Sequence, residues 1–280
     1  MNGLLYAIAG NPGCGSPGNA IKAVEAYDPA ANTWSSKASL PSGTWDAGVA
    51  SVNGQIYVIG GLTGAVYAYD PLANAWTTKA PLPLPYSGGA VGVVNGVIYV
   101  IGGTAGSQNT VQAYNTTTDS WTTKAPLPTP RYECAGATLN GLIYVVGGYS
   151  STGAVATVEV YNPATDAWNT VAPAPLRVWG ASAAVANGEL YVMGGFDINN
   201  NTVTSVEVFT PNTLITGIAT YAGLTLTGTV GSTNRIDVRN NLAATNWTAL
   251  TNLILPSNPY LFIDPTPASG AGRFYRVVEQ

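Results

Sequence analysis

One nine-residue segment recurs through most of this 280-residue chain and limits the folds open to it. Each copy begins with Asn-Gly, continues through an apolar stretch centred on Tyr, and ends in glycine. The copies follow at intervals of 42 to 51 residues, a period typical of solenoids and propellers. The five copies are NGLLYAIAG from Asn2, NGQIYVIGG from Asn53, NGVIYVIGG from Asn95, NGLIYVVGG from Asn140 and NGELYVMGG from Asn187.

A second motif follows the first four copies. It begins with an alternating V-x-x-Y segment, passes through a turn such as Asp-Pro, and reaches a Trp seven residues after the Tyr. The alternation predicts a β-strand, the turn residues predict a chain reversal, and the Trp supplies a large apolar surface. The pairs are Tyr27 with Trp34, Tyr69 with Trp76, Tyr114 with Trp121, and Tyr161 with Trp168.

Together the two motifs predict a four-stranded antiparallel unit with strands a, b, c and d. Asn-Gly closes a two-residue hairpin between strands a and b, because both residues tolerate positive φ. The apolar stretch predicts strand b, buried on both faces. Glycine pairs end this strand where a side chain would collide with a neighbour. One unit cannot bury both of its faces, so neighbouring units must stack. No segment combines helical periodicity with caps, which predicts an all-β protein.

The repeated unit resembles the kelch repeat, from which kelch β-propellers are built. The resemblance covers residues 1–212 and implies a propeller of about five blades. The end copies depart from the pattern. Ala9 replaces a glycine in the first, and Phe209 and Thr216 stand at the Tyr and Trp positions of the last. We therefore expect strands b, c and d in the first unit and a, b and c in the last. The chain is either an irregularly closed five-bladed ring or, as we favour, a fragment of a six- or seven-bladed ring.

The repeat stops after Pro211, and residues 213–280 alternate differently. Six or seven short segments separated by turn residues predict a small C-terminal β-sandwich. The segments GTVGSTNRIDV, NWTAL, PYLFID and RFYRVV resemble a module at the C-terminal ends of secreted and cell-surface proteins of some environmental bacteria. This resemblance implies a secreted or cell-surface location. No signal peptide is visible and the chain opens inside a repeat, so we expect a further segment upstream.

Composition excludes several classes of function. Charged residues make up 9% of the chain and the net charge is −4, without the basic cluster that nucleic acid binding requires. The absence of histidine removes Ser-His-Asp triads and nearly all histidine-ligated metal sites. No apolar run is long enough to span a membrane. Cys14 and Cys134 are too few for a metal cluster, and a disulfide between them is left open. We expect no cofactor, no nucleic acid partner and no membrane insertion.

Candidate binding residues lie where strand a begins, on the ring face at which kelch propellers commonly bind peptides or other ligands. The position eight residues before each Asn-Gly is aromatic in three of four units. Aromatic rings with a few polar neighbours suit sugar rings or extended peptides. The candidates from this region are Trp45, Asp46, Tyr86, Arg131, Tyr132, Glu133, Arg177 and Trp179.

The loops between strands b and c border the same face, and loops on a rigid scaffold commonly carry binding residues. Tyr149 and Phe196 directly follow glycine pairs, and Asp197 comes next, so these three complete the candidate surface. The segment FDINNNT lacks the carboxylates of a calcium site. The segment NPGCGSPGN matches no phosphate-binding pattern and precedes no helix.

The alternative interpretation is that these residues only pack the inner rim, with Arg131 and Arg177 paired to Glu133 or to backbone carbonyls. Two further charged series are interpreted as solvated blade edges, where lysine also discourages aggregation. They are Glu25, Glu159 and Glu207 on strand c, and Lys37, Lys79 and Lys124 after the Trp residues.

Three functions remain open. The expected one is a non-catalytic binding or scaffold protein that holds a glycan or protein ligand and is a monomer or part of a larger multidomain chain. The second is an enzyme. The kelch proteins that this chain resembles include a copper oxidase, whose histidine ligands are missing here, and a sialic acid epimerase. An epimerase or lyase could use Arg, Glu and Tyr, with Asp46 and Glu133 as paired carboxylates. The third is an intracellular adaptor that presents substrates for ubiquitination. This sequence shows none of the BTB-like or helical partner segments that such adaptors usually have.

Overall fold

A computed structural model describes residues 3–11, 20–103 and 108–209, together with five strands nearer the C-terminus. The chain divides into two compact units, Met1–Pro211 and Asn212–Gln280. Within the described residues the regular elements are β-strands, as the sequence predicts. Within the described residues, no helix has the length and apolarity needed to cross a membrane.

Six antiparallel sheets are described in the first unit. Five of them follow one another along the chain as blades 1 to 5, and the sixth is a two-stranded hairpin within blade 4. Within the described residues, blades 2 to 4 have strands a, b, c and d in spatial order, as predicted, whereas blade 1 has b, c and d and blade 5 has a, b and c. The residues after Phe209, where the sequence predicts no strand d, lie outside the described residues. The strands are β1 (Leu5–Ile8), β2 (Val24–Asp28) and β3 (Thr33–Ser36) in blade 1; β4 (Gly48–Val52), β5 (Gln55–Ile59), β6 (Val66–Asp70) and β7 (Ala75–Thr78) in blade 2; β8 (Ala90–Val94), β9 (Val97–Ile101), β10 (Val111–Asn115) and β11 (Ser120–Thr123) in blade 3; β12 (Ala135–Leu139), β13 (Leu142–Val146), the short hairpin β14 (Tyr149–Ser150) and β15 (Gly153–Ala154), β16 (Val158–Asn162) and β17 (Ala167–Val171) in blade 4; and β18 (Ser182–Ala186), β19 (Glu189–Met193) and β20 (Val206–Phe209) in blade 5.

The repeated nonamer forms the a–b hairpin and strand b of each blade. Asn53 and Gly54 have φ angles of 50° and 79°, the signature of the tight hairpin turn that Asn-Gly predicts. The second glycine of the pair at Gly60 and Gly61 is required sterically. A Cβ on Gly61 would lie 2.1 Å from the Thr44 hydroxyl oxygen of the d–a loop. The sequence therefore repeats because each blade needs the same turn and the same clearance.

Neighbouring blades are joined by one recurring pair of hydrogen bonds. The indole N–H of Trp76 donates to the carbonyl of Ala38 in the preceding blade at 2.8 Å. The N–H of the same Ala38 donates to the side-chain oxygen of Asn74 at 2.9 Å. Asn74 also accepts the hydroxyl of Tyr69 on strand c. The same arrangement repeats in the next two junctions through Trp121 with Asp119 and Trp168 with Asp166.

Aromatic rings complete each junction. The strand-b Tyr of one blade packs against the strand-c aromatic of the next, with ring centroids 5.6 to 6.0 Å apart. Such tilted or edge-on geometry is the favourable one for ring pairs. These four contacts are Tyr6 with Tyr69, Tyr57 with Tyr114, Tyr99 with Tyr161, and Tyr144 with Phe209.

The inner strands contact one another in the order β4, β8, β12 and β18. Apolar clusters fill the spaces between consecutive blades from blade 1 to blade 5. Among the described strands, no packed interface joins blade 5 to blade 1. The expectation that the ring belongs to a larger propeller stays a prediction.

The second unit contains two small antiparallel sheets in its described part. One pairs β21 with β24, and the other has the order β23–β22–β25. The predicted β-sandwich, with six or seven strands, stays a prediction. The described strands are β21 (Gly223–Leu226), β22 (Thr233–Arg239), β23 (Thr248–Ile254), β24 (Tyr260–Ile263) and β25 (Phe274–Glu279).

Candidate functional site

A chain of backbone hydrogen bonds links the d–a loops of four blades. The N–H of Gly88 donates to the carbonyl of Asp46 at 3.0 Å, the N–H of Glu133 donates to Gly88, and the N–H of Gly180 donates to Glu133 at 2.9 Å. All four residues have φ between 50° and 64°. We call these four residues the strap. The strap fixes two carboxylates, in blades 2 and 4, at the entrance to strand a.

The two carboxylates of the strap lie near enough to influence each other. Burial raises the pKa of Glu133, and the negative charge of Asp46 raises it further. Burial also raises the pKa of Asp46. A Cβ built on Gly88 would lie 2.8 Å from Oε1 of Glu133, so the Glu133 side chain lies directly over this glycine. Both carboxyl groups are therefore easier to protonate than ordinary surface carboxyls.

Four aromatic side chains form one contiguous surface beside the strap. Tyr149 contacts Tyr132 with ring centroids 5.6 Å apart and meets Trp179 edge-on at 6.0 Å. Trp179 in turn stacks on Phe196 at 4.8 Å. The backbones of Tyr132 and Tyr149 exchange two hydrogen bonds, as do those of Trp179 and Phe196. We call these four residues the aromatic patch. All four residues are half-buried.

Glu133 belongs to the same region as the aromatic patch. A Cβ built on Gly180 would lie 3.7 Å from Oε2 of Glu133 and 3.7 Å from the ring of Phe196. The Glu133 carboxylate and the Phe196 ring therefore both lie next to this glycine, one on each side. This is the combination of a flat apolar surface and a fixed acceptor that polar ring-shaped ligands require.

Trp45 is separate from the aromatic patch. It lines a small cavity of about 80 Å³ with Asp46, Thr44 and residues of β1 and β5. Its indole N–H is buried and has no partner among the described residues, and the same is true of Trp179. Buried donors of this kind usually find water or a ligand acceptor.

The sequence prediction is wrong for two site residues, Tyr86 and Arg131, because both are buried structural residues. Tyr86 is 2% exposed, and its hydroxyl donates to the carbonyl of Gly89 at 2.6 Å. Arg131 is fully buried, forms an ion pair with Glu159, and donates to the carbonyls of Thr129 and Val145. Neither side chain can meet a ligand at the surface.

The reason lies in the position that Tyr86 and Arg131 share. Its carbonyl accepts the N–H of the second residue of the glycine pair in the preceding blade, as in Gly61 to Tyr86 and Gly103 to Arg131. Thr44 and Val178 accept in the same way from Gly10 and Gly148. All four residues are buried, so this position joins blades and carries no site.

The interpretation of Glu159 as a solvated edge is also wrong. Glu159 is 1% exposed and its two carboxylate oxygens accept from Arg131 and Thr129. Glu25, at the equivalent position of blade 1, is exposed as predicted, and Glu207 is half-buried. The lysines after the Trp residues are half-buried. One strand-c position thus carries a buried ion pair in one blade and a solvated carboxylate in another.

Arg177 and Asp197 are close in sequence to Trp179 and Phe196 of the aromatic patch. Arg177 is exposed. Asp197 closes its own loop, accepting the backbone N–H groups of Asn199 and Asn201 and the amide of Asn201. These hydrogen bonds lower the pKa of Asp197. No group of three metal-ligating side chains occurs within the described residues. Cys134 is a free buried thiol, and Cys14 lies outside the described residues.

Two protein-family profiles match this chain. The profile of the KLHDC2/KLHL20/DRC7 Kelch-repeats domain matches residues 48–215, and the Kelch motif matches residues 1–41. The first match alone covers more than half of the chain. This chain belongs to the kelch-repeat family. The resemblance read from the glycine pairs and the Tyr and Trp spacing is thereby confirmed.

Individual relatives of this kelch protein share short segments or the fold. Kelch-like protein 35 from Mus musculus is 43% identical over 61 residues, and the protein of the same name from Homo sapiens is 41% identical over 61 residues. The matched segment spans 22% of this chain but only 10% of either relative. The solved structure named Structure of YjhT aligns with a TM-score of 0.66 at 16% identity, covering 76% of this chain and 80% of that one. This likeness shows the propeller fold alone.

The structure also shows what the sequence reasoning missed in this kelch propeller. Gly88 and Gly180 alternate with Asp46 and Glu133 along the strap, so each carboxylate has a neighbour without a side chain. The alignment of d–a loops contains this alternation and could have revealed it. The unpaired indole N–H groups of Trp45 and Trp179 leave no sequence signal, since indole partners depend on tertiary packing.

Proposed function

We propose that this kelch propeller is a non-catalytic binding protein that holds a carbohydrate on the aromatic patch. The observation that carries the proposal is the contiguous set of half-buried aromatic residues beside the Glu133 carboxylate. Sugar rings present apolar C–H faces that stack on aromatic rings, and hydroxyl groups that donate to carboxylates. Glu133 would accept such a hydroxyl and fix the orientation of the sugar.

The charge at this surface favours a neutral ligand over an acidic one. The strap carries two carboxylates, and Arg131 is buried and neutralised by Glu159. Arg177 is the exposed cation of the candidate set. A neutral oligosaccharide meets no repulsion here, whereas an anionic sugar acid would. A protein ligand with an extended neutral segment is the alternative occupant of the same surface.

An enzyme of the epimerase or lyase type is the second candidate. The raised pKa values of Asp46 and Glu133 support it, because paired carboxyls with shifted pKa values are common at catalytic sites. The burial of Arg131 weakens it, because the arginine expected to assist Glu and Tyr is out of reach. Non-catalytic binding therefore remains the better proposal. A secreted or cell-surface location, based on the tail resemblance, is proposed with it and is tested by fractionating the native host.

A glycan array with the purified chain tests the proposal. We expect binding to a limited set of neutral glycans, confirmed for one of them by isothermal titration calorimetry. Trp179→Ala should weaken binding at least about ten-fold, since stacking and orientation are both lost.

Trp34→Ala is the control, because it removes a Trp that is 58% exposed and lies on a blade distant in sequence from the aromatic patch. Circular dichroism verifies that both variants fold. Equal affinity of Trp179→Ala and the parent would place the ligand elsewhere. An array without signal would overturn carbohydrate binding and leave the protein ligand, while turnover of a bound sugar would establish the enzyme.

A further inference from the structure

The junction between blades 4 and 5 has an alanine where the other three junctions have a leucine. After strand d, blades 1 to 3 each place a leucine against the next blade, and these leucines are buried, with exposures of 1%, 8% and 1%. Blade 4 has Ala174 at this position. The three leucines are Leu40, Leu82 and Leu127.

The backbone at Ala174 keeps the place that it has in the other blades. The N–H of Ala174 donates to the carbonyl of Ala156, in the loop between strands b and c, at 2.8 Å. The N–H of Leu82 donates to the same loop of blade 2 at 2.9 Å. Pro173 and Pro175 flank Ala174, and their rings fix φ on either side of it. Because the backbone does not close in, the shorter side chain leaves a space.

This space is a cavity of about 180 Å³ between the two blades. Its lining is chiefly apolar, because strands b and c of both blades contribute aliphatic and aromatic residues. An apolar cavity of roughly 150 Å³ is large enough to bind a molecule of the size of benzene. The cavity therefore has room for a small ligand. Its apolar lining includes Val146, Val158, Val192 and Phe209.

Glu207 is the charged residue among the described residues that line the cavity. It occupies the same strand-c position as Gln112 and Glu159, each opposite a strand-b valine. The preceding blade supplies partners for both of these side chains. The Gln112 amide exchanges two hydrogen bonds with the backbone of Leu84, and Glu159 forms an ion pair with Arg131. No hydrogen bond or ion pair links the Glu207 carboxylate to another described residue.

The arginine that neutralises Glu159 has no counterpart beside Glu207. Arg131 precedes strand a of blade 4, and the same position before strand a of blade 5 is occupied by Val178. Val178 is buried and aliphatic, so it cannot neutralise a carboxylate. Arg177, the residue before it, forms no ion pair within the described part of the chain. The junction therefore combines an apolar cavity with a carboxylate that no described cation neutralises.

We propose that the junction between blades 4 and 5 binds a small organic amine. The hydrocarbon part of the amine occupies the cavity beside Ala174, and its ammonium group pairs with the Glu207 carboxylate. Burial of apolar carbon supplies affinity. The charge-assisted hydrogen bond selects a cation over an anion of the same shape. The cavity contains no residue of the aromatic patch or of the strap, so this proposal stands independently of carbohydrate binding.

Titration with 3-methylbutylamine tests the proposal. This probe carries the branched hydrocarbon of a leucine side chain together with an ammonium group. Proton–nitrogen correlation spectra of the full chain at pH 7 report both the affinity and the place of binding. We expect saturable shifts centred on β19 and β20. The control probe 3-methylbutanoate has the same branched hydrocarbon with a carboxylate, so it should bind at least about ten-fold more weakly.

Two protein variants locate the binding. Ala174→Leu fills the cavity with the residue of the other blades, and Glu207→Gln removes the charge while keeping the shape, so each should weaken binding at least about ten-fold. Glu25→Gln is the matched control, because it changes the exposed carboxylate at the same strand-c position of blade 1 and should leave binding unchanged. Circular dichroism checks that all three fold. Absence of saturable shifts, equal affinity for 3-methylbutanoate, or full binding by either folded cavity variant would each overturn the proposal.

Discussion

Single positions in this propeller change their role from blade to blade. Glu25 and Glu159 occupy the same place on strand c, yet Glu25 is exposed and Glu159 forms a buried ion pair with Arg131. The sequence shows the shared position but not the partner, because the partner lies 28 residues away in the d–a loop before the blade. The prediction of Tyr86 as a site residue is wrong for the same reason, because Tyr86 is buried against the neighbouring blade.

Glu159→Ala should lower the free energy of unfolding by about 3–5 kcal/mol, because it leaves the buried guanidinium of Arg131 without its counter-ion. Glu25→Ala is the matched substitution and should change it by less than about 0.5 kcal/mol. Urea unfolding followed by tryptophan fluorescence measures both. Similar values for the two variants would contradict the difference in their surroundings.

The strap predicts a pH dependence of stability. Since the folded chain raises the pKa of Glu133, it binds the proton more tightly than the unfolded chain, so stability is present at low pH and falls as pH rises above the ordinary value of 4.5. Glu133→Gln removes this ionisation. The variant should therefore gain stability relative to the parent between pH 5 and 7. Urea unfolding at pH 5, 6 and 7 measures the difference in free energy of unfolding between Glu133→Gln and the parent, with Glu25→Gln as control. A difference that stays constant with pH would argue against the burial of Glu133.

At the scale of the strand and the blade, the sequence predicts much more. The Asn-Gly turns, strands b and c and the three strands described for each of blades 1 and 5 all follow from it. These features are local: a two-residue turn and an alternating strand need no information from the rest of the chain. The junctions are less predictable. The Trp was expected as an apolar surface, and the structure adds its hydrogen bond to the preceding blade.

Trp76→Ala should lower the free energy of unfolding by about 3 kcal/mol, through lost ring packing and a lost hydrogen bond across the junction. Trp34 holds the same position in blade 1 but is 58% exposed and packs only on Tyr27 among the described rings. Trp34→Ala should cost less than about 1.5 kcal/mol. Thermal unfolding compares them, and equal losses would show that the junction contributes little.

At the scale of the whole molecule, stability should be greatest in the middle of the blade series. Blades 2 to 4 are covered on both faces, whereas blades 1 and 5 each pack on one described neighbour. In stacked repeats, stability is approximately the sum of each unit and its contacts with neighbours. The local sequence does not predict this gradient in stability, because the sequence of strand b is almost identical in every blade.

Hydrogen exchange measured by mass spectrometry should therefore show slow exchange in β9 and β13 and faster exchange in β1 and β18. Ile98 and Val145 are completely buried on the two slow strands, while Leu5 and Val185 are well exposed on the fast ones. The comparison is internal, since peptides from all four strands come from one digest. Uniform protection across the blades would contradict the gradient.

The strap has one more consequence, which concerns motion. Its three hydrogen bonds all point the same way, each peptide group donating towards the blade before it. The peptide groups on either side of Glu133 supply its donor to Gly88 and its acceptor for Gly180, so rotating this segment would break both bonds. Hydrogen bonds through Glu133 thus connect the d–a loops of four blades, and we expect the proposed ligand at Glu133 to restrain these loops together.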